Sequence, residues 1–503
     1  MDAKLLAACK AAFASTGPAL TLGAPVHAGA CAPEPLVRLP LAMANRHGLI
    51  AGATGTGKTK TLQLMAEQLS RTGVPVFLAD LKGDLSGLAV AGEASERVQQ
   101  RARDTGHPWA AAACPVEFLS LTGTRGAQVR ATVSSFGPLL LAKILGLNDT
   151  QASVLGLVFK FSDDRDLELY DFGDLRAVLE YATGDGAAAL KKEGGASPAT
   201  VGVLLRKMVE LEQQGAGVFF GEPELDLRDL VRTDDGRGVV SVLELQDVQD
   251  RPALFSTFMM WMLARLYGQL PEVGDVDKPK LVFFFDEAHL LFEGASKAFL
   301  EQVEQVVRLV RSKGVGIFFV TQSPKDVPRD ILGQLGNRVQ HALRAFTPDD
   351  EKALRAAART FPKTPFYDVE ETLTTLGIGE ALVTVLGPNG APTPPFATRL
   401  VPPASRMGPL TDVEIRQALA ASAQVRRYAQ AVDRPSAEEK LAGERPDAAA
   451  TGGSGAPAQA GRGGARAPGT LEMVLRSPVT RTVAREFARG LMGALLGGPR
   501  RRR

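Results

Sequence analysis

Residues 48–80 read GLIAGATGTGKTKTLQLMAEQLSRTGVPVFLAD. His47 to Ala51 is a short apolar run that enters a glycine-rich turn. From Thr59 onward Leu62, Met65, Ala66 and Leu69 recur on one helical face, and Gly73 ends the helix. Val74 to Ala79 is a second apolar run, long enough for a buried strand. Strand, loop, helix and strand in this order predict the first unit of an α/β fold with a parallel sheet.

The turn itself, Gly52-Ala53-Thr54-Gly55-Thr56-Gly57-Lys58-Thr59, matches the pattern G-x-x-x-x-G-K-[ST]. Its glycines let the backbone curl so that N–H groups converge on phosphate oxygens. The helix behind it aims its N-terminus at the same anion. Lys58 supplies a mobile charge for the β- and γ-phosphates, and the Thr59 hydroxyl is a ligand for Mg²⁺. Such a pattern also arises by chance in a glycine-rich turn, but here a buried strand precedes it and an amphipathic helix follows. Gly52 through Lys60 are taken as the nucleotide-contacting segment, with ATP and Mg²⁺ as the implied cofactors.

Hydrolysis needs a second segment, and Leu281-Val282-Phe283-Phe284-Phe285-Asp286-Glu287 supplies it. Five apolar residues make a central strand, and two acids follow at its carboxyl end, where α/β ligand sites lie. Asp286 is placed to hold Mg²⁺ through a water, and Glu287 to polarise the attacking water. His289 reads as a helix-start residue. The next strand ends in Thr321-Gln322-Ser323-Pro324, which makes Gln322 a sensor of the γ-phosphate or a strand-end turn residue. The helix Glu301 to Lys313 carries Arg308 and Arg311. Either serves as a finger toward a neighbouring subunit's nucleotide, or both belong to a solvated charged face.

With 503 residues, 45% hydrophobic and 23% charged, the chain has ample material for a core. A formal charge of +2 does not mark a polycation, so bulk charge gives no sign of nucleic-acid binding. Cys9, Cys31 and Cys114 form no CxxC pair and the five histidines no ligand cluster, so neither a disulfide framework nor a structural metal is expected. No signal peptide and no apolar run of membrane-spanning length is read, which predicts a cytoplasmic protein with no membrane partner.

The expected organisation is a lead-in over 1–45, a core over 46–84 and 236–400, and an insertion over 85–235. The insertion is largely helical, with helical patterns at Pro138 to Phe161 and Val201 to Gln214; a separate small domain is the alternative. Further strands are expected at Gly238 to Leu245, Val315 to Val320, Val339 to Phe346 and Gly379 to Leu386, and an apolar helix at Ala253 to Tyr267. A helical extension over 401–432 precedes an Ala/Gly/Pro-rich linker over 433–470. Residues 471–503 form a basic amphipathic helix and tail, with eight Arg against Glu472 and Glu486.

The segments GLIAGATGTGKTKTLQ (48–63), FLADLKGDLSGLA (77–89), LVFFFDEAHLLF (281–292) and VRSKGVGIFFVTQSP (310–324), with the basic tail, resemble the HerA–FtsK superfamily of P-loop motors. The likeness is to bacterial HerA-like ATPases of the YjgR type and covers most of 35–400. It implies a RecA-like P-loop NTPase core with a mostly parallel sheet, and a homohexameric ring with ATP at subunit interfaces. It also makes Arg311 the interface arginine, and puts Asp80, Lys82 and Asp84 near the nucleotide or the subunit contact. Relatives pump or unwind DNA, so a DNA translocase or helicase is the first expectation. Only about fifty residues precede the phosphate loop, too few for the β-barrel domain of HerA proteins. A protein-remodelling or regulatory ATPase, binding its partner through the helical insertion, is the alternative. The tail is expected to dock on the ring, with an anionic membrane or nucleic acid as other occupants.

Overall fold

A computed structural model describes residues 2–14, 17–191, 194–293, 295 and 297–443. The tail expected at 471–503 and the linker from 444 onward lie outside them. Residues 1–442 form one compact unit.

Its frame is a thirteen-stranded sheet. The central strands are parallel and run in the spatial order Asn337–His341, Gly48–Ala51, Val315–Thr321, Leu281–Phe285, Val76–Asp80, Val240–Glu244, Val116–Ser120. The inner strands Gly48–Ala51, Val315–Thr321, Leu281–Phe285 and Val76–Asp80 are buried along their whole length and mostly apolar, as parallel strands covered by helices on both faces must be. Beyond Asn337–His341 the sheet turns antiparallel through Glu380–Thr384, Phe396–Leu400 and Ala19–His27. The segment expected as a lead-in therefore carries sheet strands. The strand expected over Val339 to Phe346 stops at His341, because the next residue bends across the phosphate loop and Ala342 O accepts the Ala53 N–H at 2.8 Å.

Alternate side chains sort to the two faces. Ile50, Leu78, Val242, Phe284 and Val320 pack on Leu62, Met65 and Leu69 of the helix Lys58–Arg71. Phe77, Phe283, Phe285 and Phe319 face Trp261 of the helix Pro252–Gln269 and Val303 and Val307 of Lys297–Leu309. Pro252–Gln269 is apolar nearly all round because sheet and insertion sandwich it. Leu141, Val158, Leu175 and Leu204 of the insertion helices belong to this same apolar cluster.

Those helices are Val133–Ile144, Asp149–Asp164, Phe172–Thr183 and Pro198–Gln213, each started by a side-chain cap from Thr132, Asn148, Asp171 or Ser197. The pattern read as one helix from Pro138 to Phe161 is broken at the Leu145–Asn148 turn. Val116–Ser120, inside the stretch expected to be an insertion, pairs in parallel with Val240–Glu244 and is part of the sheet.

After the last strand the chain returns to the helix Lys58–Arg71. The Glu67 carboxylate accepts the N–H groups of Ala404 and Ser405 at 2.7 and 3.0 Å, and Gln63 Nε2 donates to Arg406 O at 2.7 Å. Arg406 then pairs with Glu414 in the helix Asp412–Ala421. Tyr428, at the end of Ala423–Tyr428, is fully buried and donates its hydroxyl to Asp229 at 2.7 Å. Residues 433–443, expected at the head of the linker, hold a helix, Ala437–Gly443, with Ala437 and Leu441 buried in the insertion core.

Candidate nucleotide-binding site

Each parallel strand opens its carboxyl end onto the same edge, and the chemistry gathers there. Gly48–Ala51 runs into the phosphate loop, whose Gly52, Gly55 and Gly57 all take positive φ angles. The helix Lys58–Arg71 begins on Gly57, and no side chain caps it. Its first N–H groups are thus left for an anion. Thr56 Oγ1 donates to Ala53 O at 2.7 Å and Thr56 O accepts from Gly379 N at 2.9 Å, so the loop is braced from inside and from the Gly377–Glu380 turn. Thr54 and Gly55 stand exposed at the tip, and Thr59 lies half-buried in the first helical turn.

Lys58 is buried and folds back, its Nζ donating to Gly52 O at 2.8 Å and Ala53 O at 3.1 Å. Burial lowers its pKa while Glu287 and Asp286 act to hold the charge. Lys60 turns elsewhere: its Nζ is 3.3 Å from Gln63 Oε1 and lies in the field of Asp84 and Asp80.

Gly52 tolerates no side chain. Its φ of 155° disfavours any L residue, and a Cβ there would sit 2.4 Å from the His341 Cβ. Gly52→Ala should cost about 1–3 kcal/mol of stability and lower nucleotide affinity at least roughly tenfold. Thermal melts and a fluorescent-nucleotide titration check both; unchanged binding would refute the strict backbone role.

Asp286 and Glu287 follow Leu281–Phe285, which is separated from the phosphate-loop strand by Val315–Thr321 alone. Gln322 leaves that intervening strand exposed, next to Thr321, whose O accepts Gly52 N–H at 3.2 Å. The structure thus brings the phosphate loop, Asp286, Glu287 and Gln322 to one edge. Arg311 it does not: the residue sits in the turn Val310–Lys313 before the amino end of Val315–Thr321, 3.6 Å from Asp275. Arg46 shares that aspartate at 3.1 Å, and Arg308 pairs with Glu304 on its own helix.

The edge is strongly acidic. Asp80 and Glu244 are register partners on adjacent strands, and Asp286 stands one step beyond the Ala79–Phe285 pair on the other side. Asp80, Glu244 and Asp286 are all buried. Burial, then neighbouring acids, pushes Asp286 up to about 7 and Glu244 up to about 8. Burial also pushes Asp80 up to about 6, against three backbone N–H donors from Lys82, Gly83 and Leu85. Asp286 Oδ2 and Asp84 Oδ1 are buried without a hydrogen-bond partner, and carboxylate oxygens of Asp80, Asp84 and Asp286 lie within 4.8 Å of one another. Hard oxygen donors with unmet charge suit Mg²⁺, which would restore the ionised forms.

Glu287 has a different environment. Its backbone takes φ 48°, and Lys82 Nζ donates to its Oε1. Oε2 lies 3.3 Å from His289 Nδ1, and His289 opens the short helix His289–Phe292. Burial acts to raise this carboxylate, but Lys82, His289 and Lys58 outweigh it and hold it below its ordinary range.

Glu244 and Arg46 were not singled out from sequence. Glu244 carried a signal, an acid closing the largely apolar stretch Val239 to Leu243, which Ser241 interrupts; Arg46 carried none, since its partner Asp275 is remote in the chain. His341, whose Nε2 is 2.8 Å from Thr61 Oγ1 beneath the loop, also gave none.

A phosphate loop and an acid pair on parallel strands with one strand between them define a RecA-like P-loop NTPase fold. The family described as Helicase HerA-like C-terminal matches residues 27–503, and the chain belongs to it, within the HerA–FtsK superfamily. The DNA double-strand break repair helicase HerA of Saccharolobus solfataricus is 22% identical over 69% of this chain and 63% of its own length. A probable helicase of Methanocaldococcus jannaschii is 27% identical over 29% of this chain and 28% of its own. The chain thus spans less than two thirds of either relative. Plasmid coupling protein TrwB, solved with a non-hydrolysable GTP analogue, shares the fold with a TM-score of 0.50 at 14% identity, over 79% of this chain and 99% of that one. Among the described residues no helix is long and apolar enough to cross a membrane.

Proposed function

We propose that this protein is an ATP-hydrolysing motor that works as a homohexameric ring in the cytoplasm and translocates or unwinds DNA. One observation carries the reading: Lys58, beside Thr59 at the head of its helix, lies within electrostatic reach of Asp286 and Glu287 at the same sheet edge. The loop N–H groups and Lys58 bind the β- and γ-phosphates. Thr59 and Asp286 would hold Mg²⁺, which would supply positive charge against the phosphate oxygens. Glu287 takes the proton of the water that attacks the γ-phosphorus, and ADP leaves. Gln322 contacts the γ-phosphate or that water.

Arg311, in the turn before the amino end of Val315–Thr321 and away from this edge, is assigned to the nucleotide of a neighbouring subunit, a role that rests on the family resemblance. The DNA substrate draws its support from family membership and from the HerA helicases named above. Duplex DNA should raise the ATPase rate several-fold, and the half-saturating DNA concentration should climb steeply with salt as phosphate contacts are screened. A rate indifferent to duplex DNA, single strands and RNA, with one protein dominating nuclease-treated pull-downs, would transfer the reading to protein remodelling.

A further inference from the structure

Glu287 has one of its two oxygens engaged and the other shut away from solvent. Lys82 donates to Oε1, while Oε2 is buried without a hydrogen-bond partner, 3.3 Å from His289 Nδ1. The two partners of the ion pair differ in freedom: the Glu287 side chain is 7% exposed, the Lys82 side chain 51%. The Lys82 backbone is pinned, its N–H held by Asp80 Oδ1 at 3.1 Å and its carbonyl by Gln246 Nε2 at 2.6 Å. The long stem can therefore swing while its root stays fixed.

Two ammonium groups thus flank one acid pair. Lys58 approaches from the phosphate loop and Lys82 from the loop after Val76–Asp80, near enough for the Lys82 charge to act on Lys58. A triphosphate seated on Lys58 brings a γ-phosphate into that field. It carries more negative charge than one carboxylate and draws the mobile ammonium toward it.

We propose that Lys82 is a latch responsive to the γ-phosphate: it holds Glu287 while the site lacks a triphosphate, then transfers to the γ-phosphate and frees the carboxylate for water. A diphosphate reaches no further than Lys58, so it leaves the latch closed. This inference rests on the reading of the site as an ATPase centre, and it makes Lys82 a residue that distinguishes ATP from ADP.

The test compares AMPPNP and ADP binding, with Mg²⁺, to the full chain and to Lys82→Met and Lys82→Arg. The wild type should prefer AMPPNP. Lys82→Met should lose that preference about tenfold with ADP affinity unchanged, and Lys82→Arg should keep most of it. An unchanged preference in Lys82→Met, an equal loss for both nucleotides, or no triphosphate preference in the wild type overturns the latch. If the wild type binds neither nucleotide, the ATPase reading itself fails, and that result is separate from the others.

Discussion

Glu287→Gln is expected to bind ATP at least as well as the wild type and to turn it over roughly 10²–10⁴ times more slowly. The amide keeps the size and one acceptor oxygen, so the backbone at φ 48° has no reason to move. What vanishes is the negative charge that polarises water and takes its proton. Binding survives because the phosphates are held by the loop, Lys58 and the helix N-terminus, none of which contacts the Glu287 side chain through a hydrogen bond. Steady-state ATPase rates beside a nucleotide titration separate the two quantities. A variant with near wild-type kcat would show that another group activates the water.

Lys58→Ala attacks the opposite side of the reaction. The buried ammonium, which folds back on Gly52 O and Ala53 O, is the charge inside the loop and would exchange those carbonyls for phosphate oxygens. Losing two charge-assisted hydrogen bonds should cost about 3–4 kcal/mol of binding, roughly a hundred- to thousandfold in Kd. Turnover should fall below detection at ordinary ATP concentrations. Calorimetry with AMPPNP and Mg²⁺ measures the loss directly, and an affinity within about threefold of wild type would contradict the assignment of Lys58.

Both residues are legible in the sequence because the phosphate loop and the acid pair are local patterns. Glycine is required at Gly52 and Gly57 by their positive φ, and an apolar strand that ends in two acids has few other uses. The central strands are readable for a related reason: burial on both faces leaves an uninterrupted apolar run such as Leu281 to Phe285. What escapes a sequence reading depends on partners far apart in the chain. Val116–Ser120 begins with half-buried residues and a glutamate, Glu117, and it becomes a strand through its pairing with Val240–Glu244, across the whole helical insertion. Ala19–His27 gains its place from Phe396–Leu400, at the other end of the fold. The grip of Lys82 on Glu287 joins residues 205 positions apart, so sequence places Lys82 near the site without giving it a task.

The attachment of residues 404–406 to Gln63 and Glu67 makes the helix behind the phosphate loop a mechanical input as well as an anion site. The buried bonds of 2.7–3.0 Å from Glu67 to Ala404 and Ser405 fasten this helix to the returning chain at two successive residues. From there the strap runs through Arg406–Glu414 and the Asp412–Ala421 helix to Tyr428 and Asp229, in the region of the helical insertion. Phosphate loop and insertion are thereby moored to one another by a second route that bypasses the sheet.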